Sequence, residues 1–206
     1  MERAHHTSTL WQVISDFGNP MVWGTFLFVL LMWIKGLSLS HILLSLAIFL
    51  LTVGVVSAIT FNVARSRQFS DTRDLIEREI RSLPYFCTFL AYMVVAAIFN
   101  RQDWSPKWLV FLTSTMGIGL GICGFINLFW KVSFHTFASS AMATMFFMVT
   151  SSWWSLVLLL LVSLVIGWSR IRLGVHTPMQ VLIGFLLGIF LPILCAMSYL
   201  GGFLWT

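Results

Sequence analysis

Seven apolar stretches, over 21–34, 40–63, 85–99, 108–129, 136–150, 153–168 and 178–200, run along the chain with short polar islands between them. Several approach the roughly 20 residues a helix needs to cross the hydrocarbon core of a bilayer. Continuous apolar runs of this length exclude a transmembrane barrel, whose strands would show about ten residues alternating between apolar and polar. The pattern predicts an all-α fold, a polytopic transmembrane helical bundle of six or seven spans. It forms a single domain over 1–206, with a polar amino-terminal segment over 1–20 and a basic loop over 64–84. The stretches at 21–34, 85–99 and 136–150 are short, so one or more is expected to be tilted, re-entrant or lengthened by its polar flanks.

Composition agrees with the pattern. Of 206 residues, 59% are hydrophobic and 9% charged, against about 25% charged in soluble domains, and the mean hydropathy is +0.93. Trp23, Trp33, Trp104, Trp108, Trp130, Trp153, Trp154, Trp168 and Trp205 fall near predicted span ends, where amphipathic rings favour the headgroup layer. Residues 1–20 lack an apolar core followed by a small-residue cleavage site, so the first span is expected to direct insertion without a cleavable signal peptide. Cys87, Cys123 and Cys195 are scattered inside apolar segments and read as packing residues. The formal charge of +5 reflects arginine concentrated in one loop. With so little soluble surface, an acidic lipid headgroup is a better partner for it than a nucleic acid.

The 64–84 segment holds five of the twelve basic residues, Arg65, Arg67, Arg73, Arg78 and Arg81, and four of the seven acids, Asp71, Asp74, Glu77 and Glu79. Glu77 to Arg81 predicts a short amphipathic surface helix ended by Pro84, with Arg78 and Arg81 on one face. Two further polar islands follow, Trp130 to Thr136 and Ser169 to His176. Two apolar stretches separate each island from the next, and an even number of crossings returns the chain to the same face of the membrane. Ionisable groups there are costly and by default mark function. Two guanidiniums, Arg170 and Arg172, beside the imidazole of His176 suggest phosphate chemistry.

Ser169-Arg170, five residues, His176 and then Gln180 resemble the third signature of the type-2 phosphatidic acid phosphatase superfamily, S-R-x5-H-x3-D. Ser133-Phe134-His135 resembles its second signature, P-S-G-H, with Val132 and Phe134 at the Pro and Gly positions. The first signature, K-x6-R-P, is echoed loosely between Arg73 and Pro84, with Arg78 and Arg81 as its nearest Arg counterparts. The resemblance covers roughly 60–200.

It implies that His176 attacks phosphorus and forms a phosphohistidine, while His135 protonates the departing alkoxide. An imidazole titrates close enough to neutrality to do either. Arg170 is the first choice for the phosphoryl oxygens, followed by Arg81, Arg78, Arg73 and Lys131, with Ser133 and Ser169 as hydroxyl or backbone donors. A helix beginning at Ser133 would offer its N-terminus to an anion. Gln180 stands where the family has Asp. Its carbonyl is expected to accept the imidazole N–H without adding negative charge, which implies a weaker nucleophile or help from Asp71, Asp74 or Glu77. Phe134 replaces a glycine that lets backbone approach phosphate closely. Two His without a carboxylate cluster make an incomplete zinc site, so neither metal nor cofactor is expected.

The expected activity is therefore a metal-independent lipid phosphatase acting on a phospholipid or isoprenoid phosphate. The alternative is an inactive lipid-phosphate binding or transport protein with the same fold. Other polar and glycine positions read as structural: Arg65, Arg67 and Arg172 as interfacial anchors, His41 as a hydrogen-bonded packing residue, and Gly117, Gly119, Gly121 and Gly124 as helix contacts. The expected setting is a bacterial inner membrane. Orientation stays open: nine basic residues on the motif face against three favour a cytoplasmic site, but setting aside the five assigned to phosphate leaves four against three. The resemblance implies a site facing the periplasm, the exterior or a lumen.

Overall fold

A computed structural model describes residues 2–67 and 79–199. The described chain runs through α1 (Glu2–Phe17), α2 (Pro20–Ile34), α3 (Leu39–Phe49), a π-helical turn (Leu50–Gly54), α4 (Val55–Ser66), a 3-10 turn (Glu79–Arg81), α5 (Ser82–Asn100), α6 (Lys107–Asn127), α7 (Phe134–Thr150), α8 (Trp153–Arg172) and α9 (Pro178–Tyr199). The protein is an all-α polytopic membrane protein. A spanning segment has no water to satisfy its peptide groups, and a helix satisfies them within itself.

Among the described residues, five segments are long and apolar enough to cross a membrane: Leu39–Ser66, Ser82–Asn100, Lys107–Asn127, Trp153–Arg172 and Pro178–Ser198. Counting Thr9–Phe17 and Pro20–Ile34, bent by 45°, as one broken span makes six. The expected stretch at 136–150 forms α7, but its 17 residues span only about 25 Å at 1.5 Å per residue. Its Thr136–Phe146 segment is buried. The short 85–99 stretch gains polar flanks and becomes the 19 residues of α5.

Three expectations change. Pro84 does not end a helix: α5 starts at Ser82, so the proline sits in its first turn, where a missing N–H costs nothing. Glu79–Arg81 is a 3-10 turn, while Glu77 and Arg78 lie outside the described residues. Trp23 is buried against Phe17 and Phe26 and does not anchor at the headgroup layer.

Two compact units divide the chain, Met1–Phe28 with Val132–Leu194 and Val29–Lys131 with Cys195–Thr206. In the first, α1 stops at the Gly18-Asn19-Pro20 break. Proline disfavours a helical conformation in the residue before it, and Asn19 instead caps α2 by accepting the Met21 N–H at 2.9 Å. Helices α7 and α8 form a hairpin across Ser151, which is left-handed at φ 55°, and Ser152, which caps α8 by accepting the Ser155 N–H.

Helix α9 packs against α7 through Gly184 and Gly188. A β-carbon on Gly184 would lie 2.5 Å from the Ser133 carbonyl oxygen, and one on Gly188 would overlap Ser140 Oγ and the Phe137 carbonyl. The space left by these glycines lets Ser140 donate to the Phe185 carbonyl at 3.0 Å.

In the second unit, α3 and α4 are joined through the π turn, within which the Thr52 hydroxyl donates to the Ile48 carbonyl. Ser57 and Thr88 hydroxyls tie α4 to α5 at 3.1 Å. Gly117 and Gly124 seat α6 on α5, where added β-carbons would meet Tyr92 and Tyr85 at 3.0 Å. His41 stacks on Trp104, centroids 4.7 Å apart.

Candidate active site

The Ser-Arg-x5-His spacing is built by the way α8 ends. Gly174 adopts φ +69° and has open space around it, so glycine is there for its conformation. The Gly174 N–H bonds the Ile171 carbonyl at 2.9 Å and the Val175 N–H bonds the Arg170 carbonyl at 3.2 Å. This paired closure turns the chain back over the helix end. The His176 N–H also reaches the Arg170 carbonyl, at 3.3 Å, so the backbones of Arg170 and His176 are directly bonded.

Thr177 then starts α9 with Pro178 in the first helical position. The Gln180 N–H donates to Thr177 Oγ1 at 3.4 Å, and Gln180 Oε1 accepts the Thr177 N–H at 3.2 Å. These reciprocal bonds form a capping box. The same amide oxygen lies 3.1 Å from His176 Nδ1. A backbone N–H only donates, so the Gln180 atom facing Thr177 is the oxygen. That oxygen only accepts, so Nδ1 of His176 carries its hydrogen, and in the neutral ring the lone pair lies on Nε2. His176 is 7% exposed, and its imidazole is oriented by a neutral amide.

The second motif joins from α7. The Ser133 N–H donates to the Gln180 carbonyl at 3.2 Å, which brings the start of α7 to the first turn of α9. Ser133 is fully buried and its hydroxyl shares a hydrogen bond of 2.8 Å with that of Thr136. No side chain caps α7, whose N-terminal end carries positive partial charge. His135, in this first turn, is half-buried. Phe134 packs its ring against Phe137 at 5.8 Å. On α8, the buried Ser169 hydroxyl donates to the Ile166 carbonyl at 2.7 Å.

Arg170 is 2% exposed and its Nη1 donates to Oγ of Ser15, a residue also 2% exposed. Removing a charge from water costs several kcal/mol unless partners replace the solvent, and this acceptor on α1 is one of those partners. Sequence reasoning missed it, because nothing local marks a contact across 155 positions. It also missed the capping box and the Gly184-x3-Gly188 packing face. Both carried signals: Thr-Pro-x-Gln as a helix start and small-x3-small as a helix contact.

Ser133, His135, Ser169, Arg170, His176 and Gln180 thus belong to one unit, at the start of α7, the end of α8 and the start of α9. Arg81, buried, and Lys131, half-buried, belong to the other. Arg73, Arg78, Asp71, Asp74 and Glu77 lie outside the described residues. Among the described residues, no three His, Cys, Asp or Glu side chains converge as metal ligands.

The family model described as PAP2 superfamily matches residues 123–201. No curated protein and no solved structure matches the chain.

Proposed function

From the premise that residues 123–201 belong to the PAP2 superfamily, whose members are phosphatases acting on phosphate esters, often of lipids, we propose that this protein is a membrane-embedded lipid phosphatase. The observation that carries this reading is the buried His176, its Nδ1 held 3.1 Å from Gln180 Oε1, bonded through the backbone to the buried Arg170. A fixed tautomer presents one ring nitrogen as a nucleophile, and a guanidinium fork suits the equatorial oxygens of a phosphoryl group in transfer.

In the proposed cycle the Nε2 lone pair of His176 attacks phosphorus and the P–O bond to the lipid breaks. The alkoxide takes a proton from His135, and His176 carries the phosphoryl group. Water then attacks phosphorus while His135 accepts its proton, and inorganic phosphate leaves Nε2. Arg170 and the α7 N-terminus stabilise the charge that develops on the oxygens. Assigning Arg81, Arg78, Arg73 and Lys131 to the same anion rests on the resemblance alone, as does a donor role for Ser133 and Ser169.

A membrane-embedded enzyme takes its substrate laterally from the leaflet. Phosphatidic acid, phosphatidylglycerophosphate, a polyprenyl diphosphate and a lipid A phosphate form the test panel. Purified protein in mixed micelles should release phosphate from at least one of them. Phospholipid binding without release from any would instead support a binding or transport protein, the reading favoured by the neutral Gln180 and by Phe134 in place of glycine.

Gln180 separates orientation from charge. In Gln180→Glu the capping box persists, since glutamate accepts the same N–H, and its charge stabilises the cationic imidazole of the intermediate. Phosphate release should match or exceed wild type. Gln180→Leu removes the oxygen that both His176 and Thr177 meet and should lower turnover about 10- to 100-fold, the usual scale for losing an orienting partner. Equal rates for all three proteins would remove Gln180 from the mechanism.

A further inference from the structure

We propose that Ser15, on a helix outside the matched segment, is a positioning residue for the phosphate site: it holds the Arg170 guanidinium in the orientation that receives the phosphoryl oxygens. The proposal rests on the phosphatase reading above. Trp11, Ser15 and Gly18 follow one another at spacings of four and three, so they share one face of α1. Each meets α8 in register. The Gly18 position abuts Ile166, where a β-carbon would lie 2.6 Å from the side chain. Ser15 accepts from Arg170, and the Trp11 ring lies 5.8 Å from the Arg172 guanidinium carbon. The contacts on either side fix the height of α1 along α8, and with it the place of the Ser15 oxygen.

The choice of hydroxyl has chemical content. A long arginine side chain loses many rotamers when it is held in one, and a buried guanidinium needs acceptors in place of water. A carboxylate would satisfy it but would also cancel its charge and compete with the substrate. A serine oxygen orients the fork without itself bringing a negative charge to it. Helix α1 is thereby a working part of the site.

The test uses the full chain in micelles with two readouts, phosphate release from phosphatidic acid and equilibrium binding of radiolabelled inorganic phosphate. Ser15→Ala should lower kcat/KM about 10- to 100-fold and weaken phosphate binding, the scale of a hydrogen bond to a charged group. Ser15→Thr, which keeps the oxygen, should recover most of both. In an Arg170→Lys background, Ser15→Ala should add no more than about twofold, because partners in one interaction are not additive. Gln12→Ala, which removes an exposed α1 bond to Asp16, should leave both readouts at wild type.

Phosphate binding that depends on Ser15 without turnover in the wild type would remove the phosphatase reading and keep the role of Ser15. Wild-type values for Ser15→Ala, equal losses in the alanine and threonine variants, full additivity with Arg170→Lys, or no phosphate binding and no turnover by the wild type would each overturn the proposal.

Discussion

His176→Ala should abolish phosphate release from every lipid in the panel, by at least about a thousandfold, because it deletes the atom that bonds phosphorus. The companion variant gives this result its diagnostic value. His135 is proposed to protonate an alkoxide, a poor leaving group, and general acid catalysis contributes about 10²–10⁴-fold to such a step. An aryl phosphate such as p-nitrophenyl phosphate expels a stable anion and needs little of that help. His135→Ala should therefore lose activity toward lipid phosphates and retain far more toward the aryl ester during the first turnover, whereas His176→Ala loses both. Single-turnover kinetics with radiolabelled substrate would show protein-bound, acid-labile label in His135→Ala and none in His176→Ala. Equal losses on both leaving groups would sink the division of roles.

Gly188→Ala should be strongly damaging, with the closest approaches found at any of the described glycines compared. The added carbon would overlap Ser140 Oγ and the Phe137 carbonyl and would sit 2.8 Å from the Ala141 backbone nitrogen. Backbone atoms cannot swing aside, so α9 has to move off α7. Overpacking typically costs about 1–3 kcal/mol, and contact with backbone points to the upper end of that range. Activity should fall further than stability. The Ser133 N–H to Gln180 carbonyl bond crosses the same helix pair, and a displacement of about 1 Å at a reacting centre can cost about 10²-fold. Gly24→Ala is the internal control: nothing lies within 4 Å of its added carbon, and alanine is the better helix former. Thermal unfolding in detergent should rank Gly24→Ala at or above wild type and Gly188→Ala several degrees below. The reverse order would mean that the two helices are not held together at this glycine.

The elements most visible in the sequence were those whose information is local. Each of the seven apolar stretches became helix, because a bilayer allows little else for a long uncharged run. Arg170, His176 and Gln180 were legible as a group because the closure around Gly174 brings them together within eleven residues of chain. Less legible were features set by tertiary packing. The polar composition of 1–20 hid a helix, since its useful face consists of three residues whose partners lie on α8. Pro84 in sequence signals a stop, though the same residue is equally at home in a first helical turn. The π turn at Leu50–Gly54 leaves no mark in a stretch whose only hydroxyl there, Thr52, is common inside apolar helices. Trp23 resembled the other interfacial tryptophans until the 45° bend at Gly18 folded Phe17 onto it.

The bond between Ser15 and Arg170 also sets a clock. The two residues are 155 positions apart, and at about 5–20 residues per second a ribosome takes roughly 8–30 s to make that much chain. For that interval α1 is already synthesised while the helix it grips is not. Nascent chains released before α8 emerges would carry the spans of the second unit and no anion site. A bulky amino-terminal fusion should therefore slow the appearance of activity after synthesis more than it slows membrane insertion.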